Sequence, residues 1–189
     1  MPVLQVIIAS TRPGRKGPAV AEWIAQHARD HGTFDVELVD LQELALPNYD
    51  EPNHPATGIY EHEHTKQWSA KVARADAFAF VIPEYNHTAP PALLNAIDFV
   101  SKEWNFKPVG LVSYGGVSAG LRSAQAVKES FQTLKLVAAS AAVSIPFVAN
   151  FFDDDGELQP NDVMLESATA MLDELVQWEG ALRTLRAAD

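Results

Sequence analysis

Five near-continuous apolar runs restrict this chain more than any other feature: Val3–Ala9, Val36–Leu41, Ala77–Ile82, Val109–Tyr114 and Ala138–Ile145. Each has strand length and is rich in Val, Ile, Phe or Ala. A strand with one wet face alternates polar and apolar residues, so runs without that alternation belong to a parallel sheet covered on both faces. Helical periods separate them. Val20, Ile24 and Ala28 form one stripe; Leu93, Ile97 and Val100 a second; Leu121, Ala124, Val127, Phe131 and Leu134 a third; and Met164, Ala168, Met171, Leu175 and Leu182 a last one that ends near Arg186. The alternation predicts five βα units, an α/β doubly wound five-stranded parallel sheet in a three-layer αβα arrangement.

One connection is anomalous. Between Pro47 and Tyr60 the chain carries three prolines, Gly58 and many polar residues, which predicts a surface excursion before a helix from about Glu61 to Arg74. The 189 residues suit a single domain, 1–189, with one sizeable core. Fourteen basic against twenty-five acidic residues leave a net charge of −11, which argues against nucleic acid or an anionic membrane surface as partner. The absence of cysteine excludes disulfides, thiolate metal sites and Cys nucleophiles. The first apolar run is too short for a membrane span and lacks a basic start, so a cytoplasmic location is expected.

Three strand-to-helix turns carry residues that a purely structural turn does not need. The first strand ends in Ser10-Thr11-Arg12-Pro13-Gly14-Arg15-Lys16-Gly17-Pro18, directly before a helix. Hydroxyls, cations and glycines at a helix N-terminus suit a phosphate, and three of the fourteen basic residues fall here. The loop is neither a Gly-x-Gly-x-x-Gly fingerprint nor a Walker loop, so Asp40, at the end of the second strand, is expected to cap a turn rather than grip a ribose. The third strand ends in Pro83-Glu84-Tyr85-Asn86-His87-Thr88. The fourth ends in Ser113-Tyr114-Gly115-Gly116-Val117-Ser118-Ala119-Gly120, whose adjacent glycines allow a flat ligand to approach the backbone. In the strand order 2-1-3-4-5 these three turns are neighbours at the switch point, where ligands of open α/β sheets bind.

With the three loops assembled, the chain resembles the NADPH-dependent FMN reductase family of flavodoxin-like proteins, which also contains quinone, azo-dye and chromate reductases. The resemblance runs from Val3 to about Pro146. It rests on Ser10 to Arg15, on Pro83-Glu84-Tyr85-Asn86 continuing to Leu94-Asn95-Ala96-Ile97-Asp98, and on Tyr114-Gly115-Gly116 through Gly120-Leu121-Arg122. It implies that Ser10, Thr11, Arg12 and Arg15, with the adjoining Lys16 and the backbone near Gly17 and Pro18, hold the FMN phosphate. Pro83, Glu84, Tyr85 and Asn86 would border the isoalloxazine edge, and Ser113, Tyr114, Gly115 and Gly116 would line its other side. Ala9 and Ala119 stand where the family usually has glycine, Pro91 is also commonly glycine, and Leu94 replaces a frequent lysine.

The implied activity is an FMN-dependent NAD(P)H oxidoreductase. NADPH or NADH is the co-substrate, and the acceptor is a small molecule: a quinone, free flavin, azo compound or chromate. Chemistry follows from the cofactor, so no catalytic acid, base or nucleophile is nominated. The resemblance also implies a homodimer or homotetramer. The alternatives are a flavodoxin-like electron carrier without nicotinamide turnover and a nucleotide-binding module without flavin.

Other clusters are given structural readings. His62 and His64, two apart on an expected helix, do not share a face, which argues against a metal site with His54, Glu61 and Glu63. Asp153-Asp154-Asp155-Gly156 lacks the alternating ligands of a calcium loop and is read as an acidic turn. Core or subunit packing is expected for Trp23, Trp68, Trp104 and Trp178, with Trp104 placed to reach a subunit interface.

Overall fold

The computed structural model describes Met1 to Ala187; Ala188 and Asp189, at the end of the expected domain, lie outside the described residues. The six strands are β1 (Val3–Ile8), β2 (Asp35–Asp40), β3 (Ala77–Pro83), β4 (Pro108–Tyr114), β5 (Val137–Ala138) and β6 (Val143–Ile145). The helices are α1 (Gly17–His31), α2 (Leu41–Leu44), α3 (Glu63–Arg74), α4 (Pro91–Asp98), α5 (Leu121–Phe131) and α6 (Asp162–Arg186). All strand pairs are parallel, in the order β2-β1-β3-β4-β5, with β6 also paired to β4.

Two apolar layers sandwich the sheet. Ala77, Ala79 and Val81 of β3 face α1 and α6, whereas Phe78, Phe80 and Ile82 face α3, α4 and α5. The run reads as continuously apolar, yet its volumes alternate: small side chains where α1 packs close, large ones on the other face. Trp104 belongs to the second layer. It is fully buried, lies 4.8 Å from Phe78 and 6.0 Å from Trp68 between ring centroids, and donates its indole N–H to the Ile97 carbonyl. The expectation that it reaches a subunit interface is therefore corrected. Burying that ring inside the layer removes more apolar surface from water than leaving it on the rim. Trp68 is also buried, Trp23 packs partly against the first layer, and Trp178 lies at the surface, bonded to Glu174.

The expected fifth strand is two strands. Val109 pairs with Ala138 and Val112 with Val143, so residues 139 to 142 stand against only Gly110 and Leu111. Two surplus residues force the chain out of the ladder. Their amides are recovered by α6: the Glu174 carboxylate accepts from the N–H of Ser140 at 2.8 Å and of Ala141 at 2.7 Å. Burial opposes the charge on Glu174, but these bonds and those from Trp178 and the Ser140 hydroxyl outweigh it and hold the carboxyl at about 2.

The Pro47–Tyr60 excursion is pinned by the α4 residue Asn95, which donates to the Pro47 carbonyl and accepts from Tyr49 N–H. Glu51, almost fully buried, accepts from the N–H groups of Glu61 and His62. This delays α3 to Glu63, two residues later than expected, and leaves His62 outside the helix in extended conformation. Freed from helical geometry, the His62 and His64 rings stack at 5.2 Å, against the expectation that they point apart, and both bond to Asp50. No group of three or more potential metal ligands occurs among the described residues. Asp153 closes its acidic turn by accepting from Asp155 and Glu157.

Candidate active site at the carboxyl ends of the strands

The loops after β1, β3 and β4 meet around a cleft of about 280 Å³. The first contributes Arg12, Arg15 and Lys16, the second Pro83, Glu84 and Tyr85, and the third Tyr114 and Gly115. A fourth wall, Val148, comes from the 3-10 turn after β6 and was not foreseen; the signal for it was Pro146, which ends the strand at the same edge of the sheet. A larger and more open groove of about 690 Å³ lies between the Tyr49–Pro55 loop and the ends of α4 and α5. It holds none of the expected site residues.

The first loop is built to face an anion. No backbone N–H from Ser10 to Ala19 has a partner among the described residues, and α1 starts without a side-chain cap or an acidic residue in its first turn. Buried or semi-buried N–H groups normally find acceptors, so such a run at a helix N-terminus calls for a bound anion or water. Behind it, Ser10 Oγ and Tyr114 OH are buried close together at a geometry that leaves neither hydrogen-bonded. Gly17 sits over both. A Cβ there would collide with Ser10 Oγ and stand 2.9 Å from Tyr114 OH. Burial pushes the Tyr114 phenol up to about 12, so it remains a proton donor at neutral pH.

The cations divide by role. Arg15 makes a two-pronged ion pair with Asp40 at 2.6 and 2.5 Å and donates to the Ser10 carbonyl at 2.7 Å. Its guanidinium borders the cleft but is engaged in bracing the loop. Asp40 also accepts from Gln42 N–H and caps α2, as expected, while the Arg15 pair adds a second use for it. Lys16 lies over the Phe152 ring at 4.3 Å. Arg12 is exposed and has no carboxylate partner among the described residues, which leaves its charge available to a ligand.

The second and third loops are clipped together. Glu84 accepts from Ser118 Oγ at 3.0 Å and from Arg122 through both its N–H, at 3.1 Å, and its Nη1, at 2.8 Å. Burial opposes ionisation of Glu84, and these donors outweigh it and lower its pKa. Tyr85 and Thr88 exchange two backbone hydrogen bonds around Asn86 and His87, both left-handed, forming a tight hairpin whose tip is exposed. Burial raises the Tyr85 phenol, against the pull of the nearby Arg12 and Arg15.

The glycine loop needs one correction. Ser113, expected to line the cleft, is buried with its hydroxyl 3.4 Å from that of Ser144, its register partner on β6, because the strand pleat that turns Tyr114 to one face of the sheet turns Ser113 to the other. The Gly115 N–H is bonded to the Ile145 carbonyl at 3.2 Å. Gly116 N–H has no partner among the described residues, with open space around its Cα. Ala119 adopts φ 53°, a left-handed conformation that suits glycine, beside Gly120 at φ 77°, where a Cβ would stand 2.8 Å from the Tyr114 backbone.

The residues present fit a phosphorylated, flat-ringed group: unpaired N–H donors and a free guanidinium on one side, an aromatic and an open glycine on the other. The family described as NADPH-dependent FMN reductase matches residues 2 to 150. A Schizosaccharomyces pombe protein named NAD(P)H-dependent FMN reductase is 45% identical over 121 residues, 63% of this chain and 60% of that protein, so the matched segment spans less than two thirds of its length. A quinone reductase of Pseudomonas putida is 29% identical over 181 residues, 92% of each chain. The structure of FerB, a flavoenzyme NAD(P)H:(acceptor) oxidoreductase of Paracoccus denitrificans, superposes with a TM-score of 0.71 at 20% identity over 96% of this chain and 98% of its own, a likeness of fold. The match spans all three loops of the cleft and continues past the unforeseen Val148, and on that extent the chain belongs to the NADPH-dependent FMN reductase family.

Proposed function

We propose that this chain is an FMN-dependent NAD(P)H oxidoreductase that delivers reducing equivalents to a small acceptor of the quinone, free-flavin, azo or chromate class, as a cytoplasmic homodimer or homotetramer. The observation that carries the reading is the run of unpartnered N–H groups from Ser10 to Ala19 beside the unpaired Arg12. Bound FMN supplies reversible hydride and electron transfer. The chain's own residues bind and orient. The N–H run, the start of α1 and Arg12 hold the phosphate; Arg15, braced by Asp40, keeps the loop in shape. Tyr85 and Gly115 border the ring, and the Glu84–Arg122 clip sets the separation of their loops. Gly116 N–H offers a donor to negative charge at the ring edge. No side chain in the cleft is assigned a proton-transfer step.

Several contacts are required together. Nanomolar binding needs about 12 kcal/mol, and one charge-assisted hydrogen bond supplies roughly 1.5–3 kcal/mol. Ring burial between the second and third loops supplies the remainder. No described helix is long and apolar enough to cross a membrane.

Purification tests the reading directly. The expected protein is yellow, holds one FMN per chain, and loses its flavin absorbance when NADPH or NADH is added without oxygen. A colourless protein that cannot be loaded with FMN overturns it, and a yellow one that neither nucleotide bleaches is an electron carrier instead.

A further inference from the structure

Around Gly116 the surface is apolar in a way that neither core nor solvent explains. Phe147 is 53% exposed, Val117 78% and Leu121 50%. Their backbones are joined at that point: Phe147 N–H donates to the Gly116 carbonyl at 3.0 Å, Val117 follows Gly116, and Leu121 N–H closes the turn on the Ser118 carbonyl at 2.9 Å. The patch continues into the cleft, because the next residues on either side, Val148 and Gly115, both line it. Phe147 is also left-handed at φ 47°, a conformation that bulky residues avoid. Phe151 and Phe152 of the same segment pack against the core, so its aromatic character does not force Phe147 outward.

We propose that Phe147 is a specificity-determining residue for the acceptor: its ring, flanked by Val117 and Leu121, forms a wall that receives flat, uncharged ring systems entering the cleft over Gly116. This rests on the oxidoreductase reading and deepens it. Aromatic rings gain from stacking and area burial on such a wall, whereas a compact oxyanion gains nothing from it. Phe147 touches the acceptor but moves no proton or electron.

The test compares Phe147→Ser and Phe147→Leu with the wild-type holoenzyme, using a naphthoquinone and chromate as acceptors. Phe147→Ser is expected to raise KM for the naphthoquinone about tenfold, the loss of one ring-sized contact, and to leave KM for chromate within about twofold. Phe147→Leu, which keeps an apolar wall, recovers most of the difference. A direct readout accompanies the kinetics: the dissociation constant of 2-naphthol, a flat ring that accepts no hydride, rises in parallel by calorimetry. Equal changes for both acceptors, or none, overturn the proposal. So does a Phe147→Ser variant whose only change is a smaller mass in sedimentation, which assigns the patch to self-association. A wild-type protein without flavin overturns the underlying reading, whereas a normal flavin content with unaltered naphthoquinone KM overturns this inference alone.

Discussion

Arg15 and Asp40 meet through two hydrogen bonds of 2.6 and 2.5 Å across 25 residues of chain, both side chains largely withdrawn from solvent. The pair joins the phosphate-type loop to the end of β2, and the third bond, from Arg15 to the Ser10 carbonyl, transmits that anchor to the loop backbone. Burial opposes the Asp40 charge, and the Arg15 bonds with the Gln42 amide outweigh it, so its pKa lies below the ordinary 3.8.

Asp40→Asn leaves a semi-buried guanidinium without its counter-charge. Unfolding free energy is expected to fall by about 3 kcal/mol, with weaker FMN retention because the loop loses its brace. Urea denaturation and flavin release on dilution measure the two effects. Because the folded pKa is depressed, the pair's stabilisation is complete above the ordinary carboxyl value and is lost as pH falls through the lower folded one.

Arg12→Ala separates binding from folding. The side chain is exposed and unpaired, so stability is expected to change by no more than about 0.5 kcal/mol, while FMN affinity drops roughly 10- to 100-fold with the loss of one charge-assisted contact. Fluorescence titration of FMN is the check, and an unchanged affinity removes Arg12 from the site.

At Gly17 the expected outcome is the opposite. Gly17→Ala sets a methyl against Ser10 Oγ and Tyr114 OH, and it is expected to destabilise the chain by about 1–3 kcal/mol as overpacking does. Flavin content is expected to fall as well, because the clash displaces the start of α1. Thermal denaturation of the apoprotein distinguishes the two effects.

Glu174→Gln tests the bulge between β5 and β6. Amides of Ser140 and Ala141 lose a charged acceptor, and about 1–3 kcal/mol of stability is expected to go with it. The carboxyl is shifted down from 4.5 to about 2, so its contribution is present above pH 4.5 and fades as pH falls toward about 2. Acid titration followed by circular dichroism is expected to show the wild type losing stability over that interval more steeply than the variant.

Much of this molecule was legible before any coordinates. The parallel, doubly wound sheet is legible in five apolar runs, its strand order follows from the flavodoxin-like resemblance, and the end of α6 near Arg186 is legible because its stripe of Met164, Met171 and Leu175 repeats at helical spacing. The split of the fifth strand was not legible: Ala138 to Ile145 reads as one run, and only the register against β4 reveals two surplus residues. Trp104 was misplaced for a related reason. A tryptophan after a short helix has no sequence mark that distinguishes a core ring from an exposed one.

At the cleft, the sequence by itself determined which loops converge, since parallel strands feeding helices put their carboxyl ends on one edge in the order that crossovers allow. Tertiary structure alone decided what each polar side chain does there. Arg15 is taken by Asp40, Glu84 by Arg122 and Ser113 by Ser144, partners 25, 38 and 31 residues apart. Hydrogen bonds and ion pairs act over about 3 Å, and no local pattern encodes a distance that short between residues that far apart. The same packing left Arg12 and the Ser10–Ala19 amides without partners among the described residues.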